Sequence, residues 1–344
     1  MTKVPKISYT EYLNMARNPD TPDEELVKYS IVIRGKTAFS PQLSPNPKLV
    51  RMTADDKELE NAMQLGNGLA RFRRQLRFKR RLLLGENLPV LVSEGDSWFQ
   101  FPLLINEVID HLGDDYLIWS VDAAGDTLDN MVNGPVAPDK TEYLTALREQ
   151  KKRVKAFLFS AAGNDIIGED PITGKPVLEQ LINPFNGNPK DVIGHVNLAA
   201  LGKKLAFIEA GYQTVINSIR SEQGLAKLPI IIHGYDYTFP YPWGKNDERD
   251  PAYADKDEWL GKPLDKRKIK DQDLRRAVIK VMLDALYDVL FKLAGDSKKT
   301  QVFVVDCRGA MPNLSDWNDE IHGTSDGFGK VADRFRAVIK KAIP

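Results

Sequence analysis

After Pro89 the sequence alternates between short apolar runs and longer stretches of helical periodicity, and no other feature limits the fold as strongly. The runs cover residues 90–92, 116–121, 156–159, 229–232 and 302–305 and are rich in β-branched and aromatic side chains. Helical patterns fall at about 103–112, 141–150, 198–220, 271–294 and 325–341. Runs that are apolar throughout, rather than at every second position, belong to strands buried on both faces. Such strands need helices above and below, joined by right-handed crossovers. The expected fold class for residues 89–344 is therefore α/β, a three-layer α/β/α sandwich around a five-stranded parallel sheet.

Residues 1–88 read as a separate, mainly helical N-terminal extension. Helical pieces are expected at 9–17 and 23–29, followed by a loop punctuated by Pro41, Pro45 and Pro47. A longer helix is expected over about 53–85, with Asp55, Asp56 and Glu58 in its first turn, where the helix dipole favours negative charge. The stretch 71–81 of that helix is basic, with Arg71, Arg73, Arg74, Arg77, Lys79, Arg80 and Arg81. The spacing of Leu65, Leu69, Phe72, Leu76 and Leu83 suits one buried face, leaving the cations solvated and able to touch an anionic membrane surface.

The 48 basic and 48 acidic residues cancel, so no global attraction to nucleic acid is expected. The single cysteine, Cys307, can form neither an internal disulfide nor a cysteine-based metal site, and four scattered histidines do not suggest one. No metal and no cofactor is expected. No apolar signal core follows Met1, and no run approaches the roughly 18 apolar residues of a membrane span, so a cytoplasmic location is expected.

In open parallel sheets, sites form beyond the C-terminal ends of the strands. There the chain carries Gly95-Asp96-Ser97-Trp98 after the first run, Gly125 after the second, Gly163-Asn164-Asp165 after the third and, in a loop after the last, Asp319-Glu320-Ile321-His322. Taken in order, these four segments resemble the blocks of the SGNH/GDSL hydrolase family. Gly95-Asp96-Ser97 is similar to block I, Gly125 to the glycine of block II, Gly163-Asn164-Asp165 to a shortened block III, and Asp319-x-x-His322 to block V. The resemblance runs from about residue 90 to the C-terminus and implies a flavodoxin-like fold. It also implies Ser97 as nucleophile, His322 as its base and Asp319 as the group that orients the imidazole, with an oxyanion hole of Ser97, Gly125 and Asn164. These roles make chemical sense, because a serine hydroxyl attacks only when a base takes its proton and the resulting oxyanion needs preorganised donors. The chain departs from the family at Gly323, where proline is common and whose absence is expected to loosen His322, and at Trp98, where leucine is common.

The function implied is hydrolysis of carboxylic esters, with an acyl, acetyl or lipid ester as substrate, through an acyl-enzyme. The alternative is a non-catalytic binding protein on the same scaffold, acting through the basic helix. Trp98, His233, Tyr235 and Tyr237 are expected to line a substrate pocket, the last two within an aromatic loop (235–243). His111 reads as a surface residue, and His195 lies near a helix start. Two decoys are set aside. Gly323-Thr324-Ser325-Asp326-Gly327 matches a nucleophile elbow, but no strand precedes it and Ser325 reads as a helix cap. Gly295-Asp296-Ser297 follows a helix and reads as its end.

Overall fold

Five strands form where the apolar runs lie: β1 (Val90–Gly95), β2 (Leu117–Ser120), β3 (Val154–Ser160), β4 (Ile230–His233) and β5 (Val302–Val305). They pair in parallel in the order β2-β1-β3-β4-β5, with Leu91 opposite Ile118 on one side and Ala156 on the other. This is the flavodoxin-like order, whose switch point lies between β1 and β3. The computed structural model describes residues 5–18, 20–33, 42–52, 65–101, 105–134, 141–168, 175–245, 247–249 and 259–344. All six residues of β1 are buried, as a central strand of a sheet covered on both faces requires. Helices flank the sheet, giving the α/β/α sandwich. Among the described residues, no helix is long and apolar enough to cross a membrane.

Helices α1 (Tyr9–Arg17) and α2 (Asp23–Lys28) precede the sheet and α3 (Leu65–Leu83) leads into β1. Further along, α4 (Leu198–Ser221), α5 (Gln272–Ala294) and α6 (Ser325–Ala342) cover the sheet. Local chemistry sets their starts. Ser8 caps α1 through a reciprocal box with Glu11, Asn197 caps α4, Asp271 caps α5, and Thr324, one residue before the expected Ser325, caps α6. The helix expected over 103–112 is only Val108–Leu112. Its upstream turn is diverted, because the Val108 N–H bonds back to the Trp98 carbonyl and the Asn106 N–H to Ser325 Oγ. The proline-marked loop also differs, since Gln42–Pro45 pairs antiparallel with Ser30–Ile33. Pro45 sits at the end of that two-stranded ladder, where its missing N–H breaks little. His111 is half-buried rather than on the surface, its Nε2 2.7 Å from the Ser325 carbonyl.

The basic helix corrects the sequence reading most. Phe72 is 46% exposed and Leu83 88%, whereas Arg73, Ala70 and Phe78 are buried. The side chains of Leu65 and Leu69, and the acidic start at Asp55, Asp56 and Glu58, lie outside the described residues. The physical reason is the edge strand. Backbone carbonyls before the start and at and beyond the end of β2 need donors, which polar side chains supply and apolar ones cannot. Arg71 donates to the carbonyls of Val121 and Asp122, Gln75 to Ser120, and Arg81 to Gly113 and Tyr116. Arg74 reaches the Phe99 carbonyl at 2.7 Å and pairs with Glu107 and Asp110. Arg77 and Arg80 pair with Asp23 and Asp20, and Lys79 lies over the Trp119 ring. Contact with an anionic surface would have to compete with these internal partners.

Arg73 fastens the N-terminal helices to α3. Its guanidinium donates to the carbonyls of Met15, Ala16, Asn18 and Thr21 and to Asp23. These groups close the small core of Tyr9, Tyr12, Leu13, Leu26 and Val50. Arg73→Ala is expected to cost about 3 kcal/mol in urea unfolding, since bonds to a charged donor contribute about 1.5–3 kcal/mol each and water restores part of them. It should also speed proteolysis within the first 50 residues. An unchanged urea midpoint would show that the guanidinium holds nothing.

Candidate active site

Ser97 stands on a tight loop just past β1. Gly95 must be glycine, because a Cβ there would lie 2.6 Å from the Phe99 ring and 2.8 Å from the Ser160 Cβ. The Asp96 N–H then bonds to the Ser160 carbonyl, and the N–H groups of Phe99 and Gln100 turn back onto the Asp96 carbonyl at 3.0 Å. The Asp96 carboxyl braces the loop from beneath. It accepts from the Trp98 N–H at 3.1 Å, from Ser160 Oγ at 2.9 Å and from the Tyr235 hydroxyl. Burial pushes this carboxyl up to about 6, against those three hydrogen bonds. Trp98, the departure from the family pattern, joins two segments of the site, its Nε1 donating to the Ile321 carbonyl at 2.9 Å.

Asp319 and His322 lie on a closed turn, in which the Asn318 N–H reaches the His322 carbonyl at 2.8 Å and Trp317 pairs with Gly323. Gly323 does not leave His322 loose. The space at its Cα is filled by Met311 Sδ and Phe328, and the imidazole lies against the rings of Phe101 and Trp259, with centroids 4.3 and 5.7 Å away. Asp319 Oδ1 accepts from the N–H groups of Ile321 and His322, both at 2.8 Å, and Oδ2 lies 2.8 Å from His322 Nδ1. A carboxylate only accepts, so Nδ1 carries the hydrogen and Nε2 is left to accept. Nε2 lies 2.8 Å from Ser97 Oγ. The arrangement can withdraw a proton from Ser97 and hold the charge that results.

Gly125 has φ +81°, a left-handed conformation suited to glycine, in the turn after β2. Asn164 is nearly buried, and its Nδ2 donates to the Asp126 carbonyl at 2.6 Å. The amide carries two hydrogens, so this bond positions the group without exhausting it. Asp165 accepts from the Leu128 N–H at 2.8 Å, fixing the helix that follows the Gly125 turn. Ala162, just before Gly163, has φ +88°, a strained value for a residue with a side chain.

The site is closed over. Ser97 is 6% exposed and His322 2%. Two groups that the sequence reading missed hold the cover. Glu320 accepts from the N–H groups of Tyr241, Leu260 and Gly261. Arg249, buried, donates to the carbonyls of Phe239 and Asp319. No pattern in the sequence marks either residue, since each acts through backbone groups distant in the chain.

An apolar cavity of about 70 Å³ opens beside Ser97 and Asn164, lined in part by Trp98 and Tyr235. The other two expected pocket residues lie elsewhere. His233 is packed between the Phe99 and Phe335 rings, and burial lowers its pKa to about 4. Tyr237 turns its hydroxyl to Asp284, with Lys280 over its ring. The aromatic loop thus builds the cover more than the pocket, and helix α5 supplies four of the apolar wall residues, Ile279, Met282, Leu283 and Leu286. His195 is buried, its Nδ1 2.6 Å from the Asp191 carbonyl. Among the described residues, no cluster of three or more His, Cys, Asp or Glu is placed to hold a metal ion.

The strand order, with these segments along one rim, is an SGNH/GDSL hydrolase-like fold. No protein-family model matches the sequence, and no curated protein does. Solved structures similar to it include an extracellular lipase from Streptomyces rimosus, with 13% identity, a TM-score of 0.43 and coverage of 73% of this chain and 99% of that one. A phospholipase A1 from Streptomyces albidoflavus has 12% identity, a TM-score of 0.42 and the same coverage. An aryl esterase from M. smegmatis, with bound inhibitor, has 11% identity, a TM-score of 0.35 and again 73% and 99%. At such scores the likenesses add no argument to what strand order and the rim residues carry.

Proposed function

We propose that the protein is a serine hydrolase that cleaves carboxylic esters through an acyl-enzyme on Ser97. The observation that supports this most is the chain of contacts from Ser97 Oγ through the imidazole of His322 to Asp319, each link 2.8 Å, made by residues 225 positions apart. In the first step Ser97 Oγ attacks the ester carbonyl carbon and its proton passes to His322 Nε2. The oxyanion is met by the N–H groups of Ser97 and Gly125 and by the Asn164 amide. Collapse breaks the bond to the alcohol oxygen, which takes the proton from His322. Water then repeats the sequence on the acyl-serine, giving its proton to His322 and releasing the acid and free Ser97.

The test is labelling by a fluorophosphonate, which reacts only with an activated serine. Labelling mapped to Ser97 is the expected result. A folded sample that takes no label would favour a binding protein on this scaffold, because fold alone does not establish catalysis. Within this reading, Asn164→Ala is expected to lower kcat about 10²–10³-fold, the size found when one oxyanion donor is removed. KM should change little, because the donor serves the tetrahedral state more than the bound ester. Steady-state kinetics on a p-nitrophenyl ester checks this, and an unchanged kcat would take Asn164 out of the oxyanion hole.

A further inference from the structure

We propose that Tyr235 is a positioning residue of the ester hydrolysis, whose hydroxyl joins the Ser97 loop to the Asn164 loop and so keeps nucleophile and oxyanion donor in register. The proposal rests on the ester-hydrolase reading and adds a residue to it. Three segments meet at this hydroxyl, and they follow β1, β3 and β4, which are neighbours in the sheet. Tyr235 donates to Asp96 Oδ2 and accepts from the Gly163 N–H at 2.8 Å. Asp96 directly precedes Ser97, and Gly163 directly precedes Asn164.

The directions of the two bonds are fixed. A backbone N–H only donates, so the phenol oxygen accepts from Gly163 and its single hydrogen goes to the carboxylate. Burial, and then the charge of Asp96, push the phenol well above its usual range, so that hydrogen stays in place. A phenylalanine would line the cavity as well as Tyr235 does. The hydroxyl has partners only between the loops.

The surroundings are shaped to this contact. Ala162 precedes the short helix Gly163–Ile167 without capping it by a side chain, and the Tyr235 hydroxyl takes up the Gly163 N–H instead. The φ of +88° at Ala162 persists only where neighbouring contacts hold it, and this bond is one of them. A Cβ on Gly163 would lie 2.7 Å from Tyr235 Cζ and 2.8 Å from its oxygen. The ring has no room to retreat, because it packs edge-on against Trp98 and His233, with centroids 5.1 and 5.5 Å away. Ser160 also ties Asp96 to the end of β3, but the chain passes the strained Ala162 before it reaches Asn164. The Tyr235 link lies beyond that turn. Donors that converge on one oxyanion must each stand about 2.7–3.1 Å from it, so the two loops have to be held to a fraction of an ångström.

The experiment is a double-mutant cycle in the whole chain, read on p-nitrophenyl acetate. Tyr235→Phe removes one oxygen and keeps the ring. It should lower kcat about 10–10²-fold, the cost of a displacement of about 1 Å and less than that of removing Asn164, while KM stays within about threefold. In the Asn164→Ala background the same change should alter kcat by less than about threefold, because the group it positions is gone. Asp96→Asn serves if Tyr235→Phe does not fold. Its oxygen stays with the Trp98 N–H and Ser160 Oγ, so its NH₂ meets a phenol that already accepts from Gly163, and the phenol hydrogen loses its acceptor. A loss of about tenfold in kcat is expected, again only while Asn164 is present. An unchanged kcat in a folded variant overturns the proposal. Equal losses in both backgrounds overturn it too, since the hydroxyl would then support the fold alone. Either result leaves the hydrolase reading intact while the wild type is labelled at Ser97 by a fluorophosphonate. A wild type that takes no label removes both.

Discussion

Replacing Ser97 by alanine is expected to lower turnover of a carboxylic ester by about 10⁶-fold, the loss seen when serine proteases lose their nucleophile. The change should act on chemistry and not on the fold. His322 Nε2 lies on the Ser97 hydroxyl, but the imidazole is held independently, by Asp319 on one side and between the Phe101 and Trp259 rings. The Ser97 loop is likewise braced through Asp96 and the backbone. The urea midpoint should therefore stay put while the acyl-enzyme, followed by single-turnover kinetics, disappears. Because nucleophile and base act as one unit, adding His322→Ala to Ser97→Ala should cost little more. A Ser97→Ala enzyme retaining a tenth of wild-type turnover would place the nucleophile elsewhere.

The parts of this arrangement that could be read from the chain are those that local chemistry writes into consecutive residues. A strand buried on both faces must be apolar throughout, so the five strands announce themselves. The segments that bring Ser97, Gly125, Asn164, Asp319 and His322 to one rim follow those strands directly or precede the last helix. What stayed illegible depends on partners distant in sequence. Arg73 looks like any solvated cation until the carbonyls of Met15, Ala16, Asn18 and Thr21 are placed around it. Glu320 looks like a neighbour of Asp319 until Tyr241, Leu260 and Gly261 turn their N–H groups toward it. The α5 face of Ile279, Met282, Leu283 and Leu286 has the spacing of any core helix. Only the fold shows that this buried face also borders the cavity beside Ser97.

Changing Asp319 to asparagine is expected to lower kcat about 10⁴-fold with the fold intact, the size of the matching change in serine proteases. The two side chains have nearly the same shape, so the effect turns on one hydrogen. Oδ1 accepts from the N–H groups of Ile321 and His322, and reversing an asparagine amide would set its NH₂ against both donors. The oxygen of asparagine is thereby pinned at that position and its nitrogen is turned toward His322 Nδ1, where Oδ2 now lies at 2.8 Å. An NH₂ donates, so Nδ1 must accept and the imidazole hydrogen moves to Nε2. Nε2–H then faces Ser97 Oγ and cannot take its proton. Labelling of Ser97 by a fluorophosphonate should slow by a similar factor, since it depends on the same proton transfer. The backbone N–H groups and the Asn164 amide are untouched, so some catalysis over water should remain. A loss below tenfold would mean that the carboxylate neither fixes the tautomer nor stabilises the imidazolium, and the Asp319–His322 contact would then be structural.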